Sequence, residues 1–245
     1  MPSIEELKSN ITSLLKESLS EFKPNWGKLI GAGLLMFAAA LPVIGVELGL
    51  MSVTGIFSQN THELSWIFYL VMPIVMLLHV GLIVGMMAMQ VGFASLCLKM
   101  VRKENFTIIS ELKSGLPKLL PMFLASLVMA PAIFLGLLCF VVPGIYLAMR
   151  FAFFSVAIAD GHGPIEALKK SFRITRGHLI EMIALFALYQ VSSFVLAFIP
   201  IVNLFILLFF VLPFMNFFWA KYYVSLESNE LEQGSFEYNT VPARA

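Results

Sequence analysis

Long apolar runs separated by short polar segments fill the chain from residue 28 to residue 224. A run of about 20 apolar residues crosses roughly 30 Å of hydrocarbon as a helix. Six such runs are read: 28 to about 53, 64 to about 98, 119 to 142, 145 to 159, 179 to 199 and 204 to 224. A transmembrane barrel would show alternating segments of about 10 residues instead, so the expected fold class is all-α. Turn signals pair the runs into three hairpins: a polar loop at 58–63, Pro143-Gly144, and a tight turn from Pro200 to Asn203.

Between the hairpins the period changes. In residues 3–23, Ile4, Leu7, Ile11, Leu14, Ser18 and Phe22 recur at steps of three and four, and Ser3 with Glu6 forms a capping box. Charges of both signs fill the other face, which predicts an interfacial or protein-packed surface helix, with partner docking as the alternative. A shorter amphipathic segment follows at 107–114. A third should begin at Pro164, after Gly163, and stop at Gly177. Ile165, Leu168 and Phe172 form its apolar face, and it carries Lys169, Lys170, Arg173 and Arg176. EELKSN at 5–10, SELKSG at 110–115 and EALKKS at 166–171 each precede a hairpin, a weak threefold regularity at unequal intervals. The expected organisation is an amphipathic helix at 1–26, a six-helix membrane domain at 27–226 and a disordered tail at 227–245.

Composition agrees with a membrane solvent: 59% of residues are hydrophobic and 13% charged, with a mean hydropathy of +0.89, whereas soluble domains carry roughly 25% charged residues. A net charge of +1 gives no global basic excess, and nucleic acid is not implied. Placement is more informative. Of the 16 Lys and Arg, all except Arg150 fall in the segments that six spans put on one side or, as Lys28 and Lys221 do, at the run ends that flank them. The positive-inside rule then places both termini in the cytoplasm. The N-terminus lacks the basic and short apolar regions of a cleaved signal, so the first span is expected to act as its own insertion signal. Cys97 and Cys139 fall on opposite sides in this topology, so no disulfide is expected, and two isolated thiols make no metal site.

Arg150 is the sharpest local feature, an arginine inside an apolar run, about seven residues after Pro143-Gly144 and so roughly 10 Å in from that turn. Burying a guanidinium there costs several kcal/mol unless it is paired, hydrated or turned inward. One reading is an anion or substrate contact in a hydrated cavity. The other is structural, with Arg150 capping helix carbonyls or meeting an acid such as Glu47. His79, in the middle of the second run, suits a helix–helix hydrogen bond or a proton relay. Asp160 is read as a hinge residue, Glu181 as reaching the interface, and Asn203 and Asn216 as turn and packing residues. Gly81 with Gly85, and Gly27 with Gly31, are small-residue faces expected to pack within the chain or, alternatively, to dimerise. The methionines around Met72 to Met89 are adaptable filler; a copper path would need His or Cys beside them.

Catalytic constellations are missing from the sequence: there is no H-E-x-x-H, G-x-S-x-G or Walker loop, and no Cys/His ligand spacing. Asp160, His162 and Ser171 can be drawn as a triad, but a glycine-rich hinge is a poor scaffold for one. No cofactor or metal is expected. The cations from Lys169 to Arg176 suit anionic lipid headgroups, each contributing on the order of 1 kcal/mol near such a surface.

Pro143-Gly144-Ile145, Arg150, Asp160, Ala167-Leu168, Ser171, Thr175 and Gly177 together resemble a pattern in bacterial multi-pass proteins related to the membrane domain of glycerophosphoryl diester phosphodiesterases. About 40 residues carry the resemblance. It implies an integral helical membrane domain and no settled activity, because no phosphodiesterase catalytic domain is present. The expected function is non-enzymatic, through association with lipid, a membrane-protein partner or a second copy, in envelope assembly or maintenance. The alternative is a transporter or channel for a small solute or amphiphile, with Arg150 in an intramembrane cavity.

Overall fold

A computed structural model describes residues 4–59, 65–196 and 206–240. The described residues are helical with short connections and no strand: α1 Ile4–Gln59, α2 Ser65–Val101, α3 Ile108–Ser114, α4 Leu119–Cys139, α5 Val141–Arg150, α6 Phe154–Ala159, α7 Pro164–Ile174, α8 Leu179–Leu196 and α9 Leu212–Thr240. A π-helical turn, Leu207–Val211, leads into α9. Most of the expected 58–63 loop, the Pro200 to Asn203 turn and Ser3 lie outside the described residues.

Four stretches are long and apolar enough to cross a membrane: Lys8–Val46, Met72–Val101, Leu119–Cys139 and Val141–Ala159. Leu179–Val191 is a shorter apolar helix. In each of the first three only 11% of the most apolar window is buried within the protein, so its Leu, Ile and Phe side chains need an apolar solvent. The chain is therefore an all-helical membrane protein. Its core lies toward one end, where the N-terminal half of α1, the C-terminal half of α2, α6, α7 and α9 meet. Phe153 is fully buried there, its ring 5.5 Å from Trp219 and 5.9 Å from both Tyr222 and Tyr223. Ring pairs at such distances add about 0.5–1.5 kcal/mol beyond the area they bury.

Three elements differ from the sequence reading. The amphipathic N-terminal segment and the first apolar run form one 56-residue helix through Pro24 and Pro42. Proline disturbs the turn before it, and beside Pro24 the Asn25 amide donates to the Glu21 carbonyl at 3.4 Å. This N-terminal half is packed on protein: Phe22 meets Phe214 edge-on at 5.4 Å, and Lys221 of α9 pairs with Glu17 and Glu21 at 3.2 and 3.0 Å.

The second difference is the reversal between α4 and α5. It falls at Phe140, whose backbone is extended (φ −163°, ψ 150°), and Pro143-Gly144 lies inside α5. Proline lacks only an N–H that the first helical turn leaves unbonded anyway. Gly144 serves close approach: a Cβ there would sit 2.8 Å from the Leu137 nitrogen. The third is the tail, where α9 continues through the polar stretch expected to be disordered and ends at Thr240.

α7 starts at Pro164 as its first-turn proline predicts and ends at Ile174, with Gly177 in the left-handed region (φ 92°) just beyond. α3 and α7 lean on the larger helices through backbone-close contacts or buried faces. A Cβ on Gly92 would lie 2.6 Å from the Leu112 carbonyl oxygen of α3.

Candidate functional site

Every conspicuous polar cluster in the described residues lies at the end where the core is. Glu111, only 5% exposed in α3, accepts from Lys99 at 2.8 Å and from Ser95 at 3.0 Å, both on α2. A carboxylate buried to that degree is tolerable because both oxygens have donors.

The larger cluster joins four helices. Just after α2, Arg102 grips Asp160, at the end of α6, through two guanidinium nitrogens at 2.5 and 3.0 Å, and reaches Glu227 of α9 at 3.1 Å. Lys170 of α7 pairs with Glu227, lies 3.9 Å from Asp160 and contacts His162 Nε2 at 2.9 Å. The Tyr223 hydroxyl donates to Asp160 at 3.2 Å. Two carboxylates and two cations thus neutralise one another. Burial pushes the Asp160 pKa up, but the Arg102 hydrogen bonds, with Lys170 and Tyr223, outweigh it and hold the carboxyl below its ordinary value. The same bonds to Asp160 hold Arg102 above its own. Burial lowers Lys118, whose ammonium donates to the Ala159 carbonyl at 2.5 Å.

Ligand atoms of Asp160, His162 and Glu227 lie within 4.8 Å of one another, the spacing of a metal site. Their donor set does not fit one: Arg102 and Lys170 already occupy the carboxylates, and a dication would have to enter between two cations. The Asp160, His162 and Ser171 grouping is not a triad either. His162 faces Lys170 and Glu166, and Ser171 is committed to backbone.

That commitment is structural. Between α5 and α6 the helix breaks at residues 151–153. Fully buried Ser171 repairs the break from α7: its hydroxyl donates to the Arg150 carbonyl at 2.8 Å and accepts from the Phe153 N–H at 3.1 Å. Arg150, 9% exposed, turns back onto the end of α7. Its Nη1 donates to the Phe172 carbonyl at 3.1 Å and to Thr175 Oγ1 at 3.4 Å, and its Nε to the Tyr146 hydroxyl at 3.0 Å. The guanidinium also lies 4.5 Å from the centre of the Phe172 ring. Carbonyl capping, one of the two structural readings from sequence, is therefore what Arg150 does. The Glu47 side chain lies outside those described.

Arg150 also lines an open groove of about 640 Å³ with Lys169, Arg173 and Arg176. Apolar side chains complete it, among them Val128 of α4 and Phe151, Ile165 and Leu168. Of these cations, Arg173 pairs with Glu230; Lys170 faces the neutral cluster instead.

The remaining sequence candidates are scattered. His79 is half-buried in α2, about 30 Å along the helix axis from Lys99. Glu181 takes hydrogen bonds from the Tyr222 hydroxyl at 2.9 Å and contacts His178 Nδ1 at 3.1 Å. Asn216 donates to the Leu212 carbonyl of its own helix at 2.8 Å. A Cβ on Gly27, Gly81 or Gly85 would meet nothing within 4 Å, and one on Gly31 only Ile108 at 4.0 Å. Among the described residues, therefore, these glycines do not mediate the close intramolecular packing expected of them. Cys97 and Cys139 are free thiols.

Sequence reasoning missed Arg102, Glu111 and Glu227. For Glu227 a signal existed: it follows Tyr223 by one helical turn, directly after the apolar Leu226. Comparison with known proteins finds no matching family model, no matching curated protein and no matching solved structure.

Proposed function

We propose that this chain is a non-enzymatic protein of a bacterial inner membrane, working through association with anionic lipid or a membrane-protein partner in envelope assembly or maintenance. It has six spans arranged as three hairpins, with both termini cytoplasmic. The resemblance carried by Arg150, Asp160, Ser171 and Thr175 fits such a domain.

One observation carries the reading. The groups of the largest polar cluster are committed, Asp160 and Glu227 to Arg102 and Lys170, and Ser171 beside it to backbone. A second set of cations, Lys169, Arg173, Arg176 and Arg150, lines a face next to apolar side chains. Such a face suits a charged interface and offers no pair of groups poised to exchange a proton with a substrate. Native mass spectrometry of protein extracted from membranes tests it. Retained anionic phospholipid or a stoichiometric partner is the expected result, and their absence from a folded sample would sink it.

The groove that reaches Arg150 is also what favours a second reading, a transporter for a small solute or amphiphile. Flux of candidate solutes into liposomes, stopped by Arg150 substitutions that leave the fold intact, would replace the first reading with this one.

A further inference from the structure

We propose that the groove beside α7 binds the phosphate of an anionic membrane phospholipid, with an acyl chain laid along α4. This rests on the lipid-association reading and gives it a location.

Charge is the first argument. Lys169, Arg173 and Arg176 follow one another at four and three residues, so they share one face of the α7 segment. Together with Arg150 they line the groove, and the lining contains no carboxylate. Of the acids nearby, Glu166 of α7 is taken by His162 Nδ1 at 3.2 Å, while Glu230 offsets one of the four cations, Arg173, and leaves a surplus of positive charge on Lys169, Arg176 and Arg150. Arg150 itself is held by neutral acceptors, a phenol, a carbonyl and a hydroxyl, so its charge is oriented without being cancelled. An oriented guanidinium beside further cations is the arrangement that takes up a phosphate through paired N–H bonds.

Chemistry of the walls chooses the source of that phosphate. Val128 of α4 lines the groove, and Leu124, Leu127 and Val128 are 41%, 60% and 50% exposed on the same helix. That strip faces hydrocarbon in a membrane, so the groove opens where bilayer lipid already lies beside it. A phospholipid matches both parts, headgroup to cations and chain to the apolar flank of a helix long enough to span the membrane.

The test uses the 245-residue chain in nanodiscs of phosphatidylcholine mixed with phosphatidylglycerol, read by native mass spectrometry for retained lipid. The variant is Lys169→Gln/Arg173→Gln/Arg176→Gln, all exposed positions, and the charge-matched control is Lys8→Gln/Lys16→Gln/Lys23→Gln, also exposed. The groove variant should lose on the order of 100-fold of the preference for phosphatidylglycerol while the control keeps it. Should the triple variant fail to fold, Arg176→Gln alone carries the test, with a loss of about fivefold expected.

Equal losses in variant and control would reduce the effect to diffuse surface charge and overturn the site. A preference unchanged in the groove variant would overturn the site and leave the lipid reading standing. No preference in the unmodified protein would take down the site and lipid association together. Displacement of bound lipid by excess inorganic phosphate would assign the groove to a soluble anion and overturn the lipid assignment.

Discussion

Arg102 and Asp160, 58 residues apart in the chain, are joined through both guanidinium terminal nitrogens at 2.5 and 3.0 Å. The pair is the hinge on which the acid stability of the protein should turn. Because Asp160 is held below the ordinary 3.8 in the folded state, its contribution is present above that pH and is lost as pH falls through the folded value. Asp160→Asn should lower stability near neutrality by about 1–2 kcal/mol and flatten the acid limb of the stability curve. Thermal melts in detergent across neutral to acid pH check this. An unchanged acid limb in the variant would place the dependence elsewhere.

Ser171 bridges two backbone groups left without helical partners at the α5–α6 break. Ser171→Ala should cost about 2–3 kcal/mol, because a buried carbonyl and a buried N–H both lose their partner. Ser171→Cys, nearly isosteric and a weaker hydrogen-bonder, should fall between. A melting temperature for the alanine variant equal to that of the unmodified protein would contradict the bridge.

Much of this architecture was legible in the sequence, and what was not has physical causes. Apolar periods gave the helices because a bilayer demands unbroken runs, and Pro164 marked the start of α7 because a first-turn proline loses nothing. Arg150 stood out because a guanidinium in an apolar run must find acceptors. The reversal at Phe140 was hidden, since an extended φ of −163° suits any residue and leaves no mark, whereas Pro143-Gly144 looks like a turn but fits a helix start equally well. The Arg102 cluster was hidden for a different reason. Its members lie 58 and 125 residues apart, and ion pairing at that separation has no local pattern.

Two kinds of glycine make opposite predictions. A Cβ on Gly115 would lie 1.8 Å from the Ala88 carbonyl oxygen, a backbone atom that cannot rotate away. Gly115→Ala should therefore separate α3 from α2 and lower stability by about 2–3 kcal/mol. Gly81→Ala and Gly85→Ala meet nothing within 4 Å and should be neutral or raise stability by up to about 1 kcal/mol through helix propensity. Comparative melts of the three variants decide the matter; a tolerant Gly115 would mean that α3 does not seat on α2 this closely.

Glu227 and Glu230 lie three residues apart in α9 but differ in setting. Glu227 serves Arg102 and Lys170 with a side chain 20% exposed, while Glu230 meets the 65%-exposed Arg173. Glu227→Gln should lower stability by about 1–2 kcal/mol, and Glu230→Gln by at most about 0.5 kcal/mol. Unfolding of each variant in detergent compares them. Equal effects would mean that Glu227 belongs to a solvated tail.

Sequence separation in that same cluster sets an order of assembly. Glu227 comes 125 residues after Arg102 and 57 after Lys170, so both cations leave the ribosome well before the carboxylate that completes their set. During that interval Asp160 alone faces the two of them. The longer apolar helices before it can be in place first, yet the lock at their end closes only once α9 has followed and brought Glu227 to Arg102 and Lys170, which makes the docking of α9 the checkpoint for that end of the bundle.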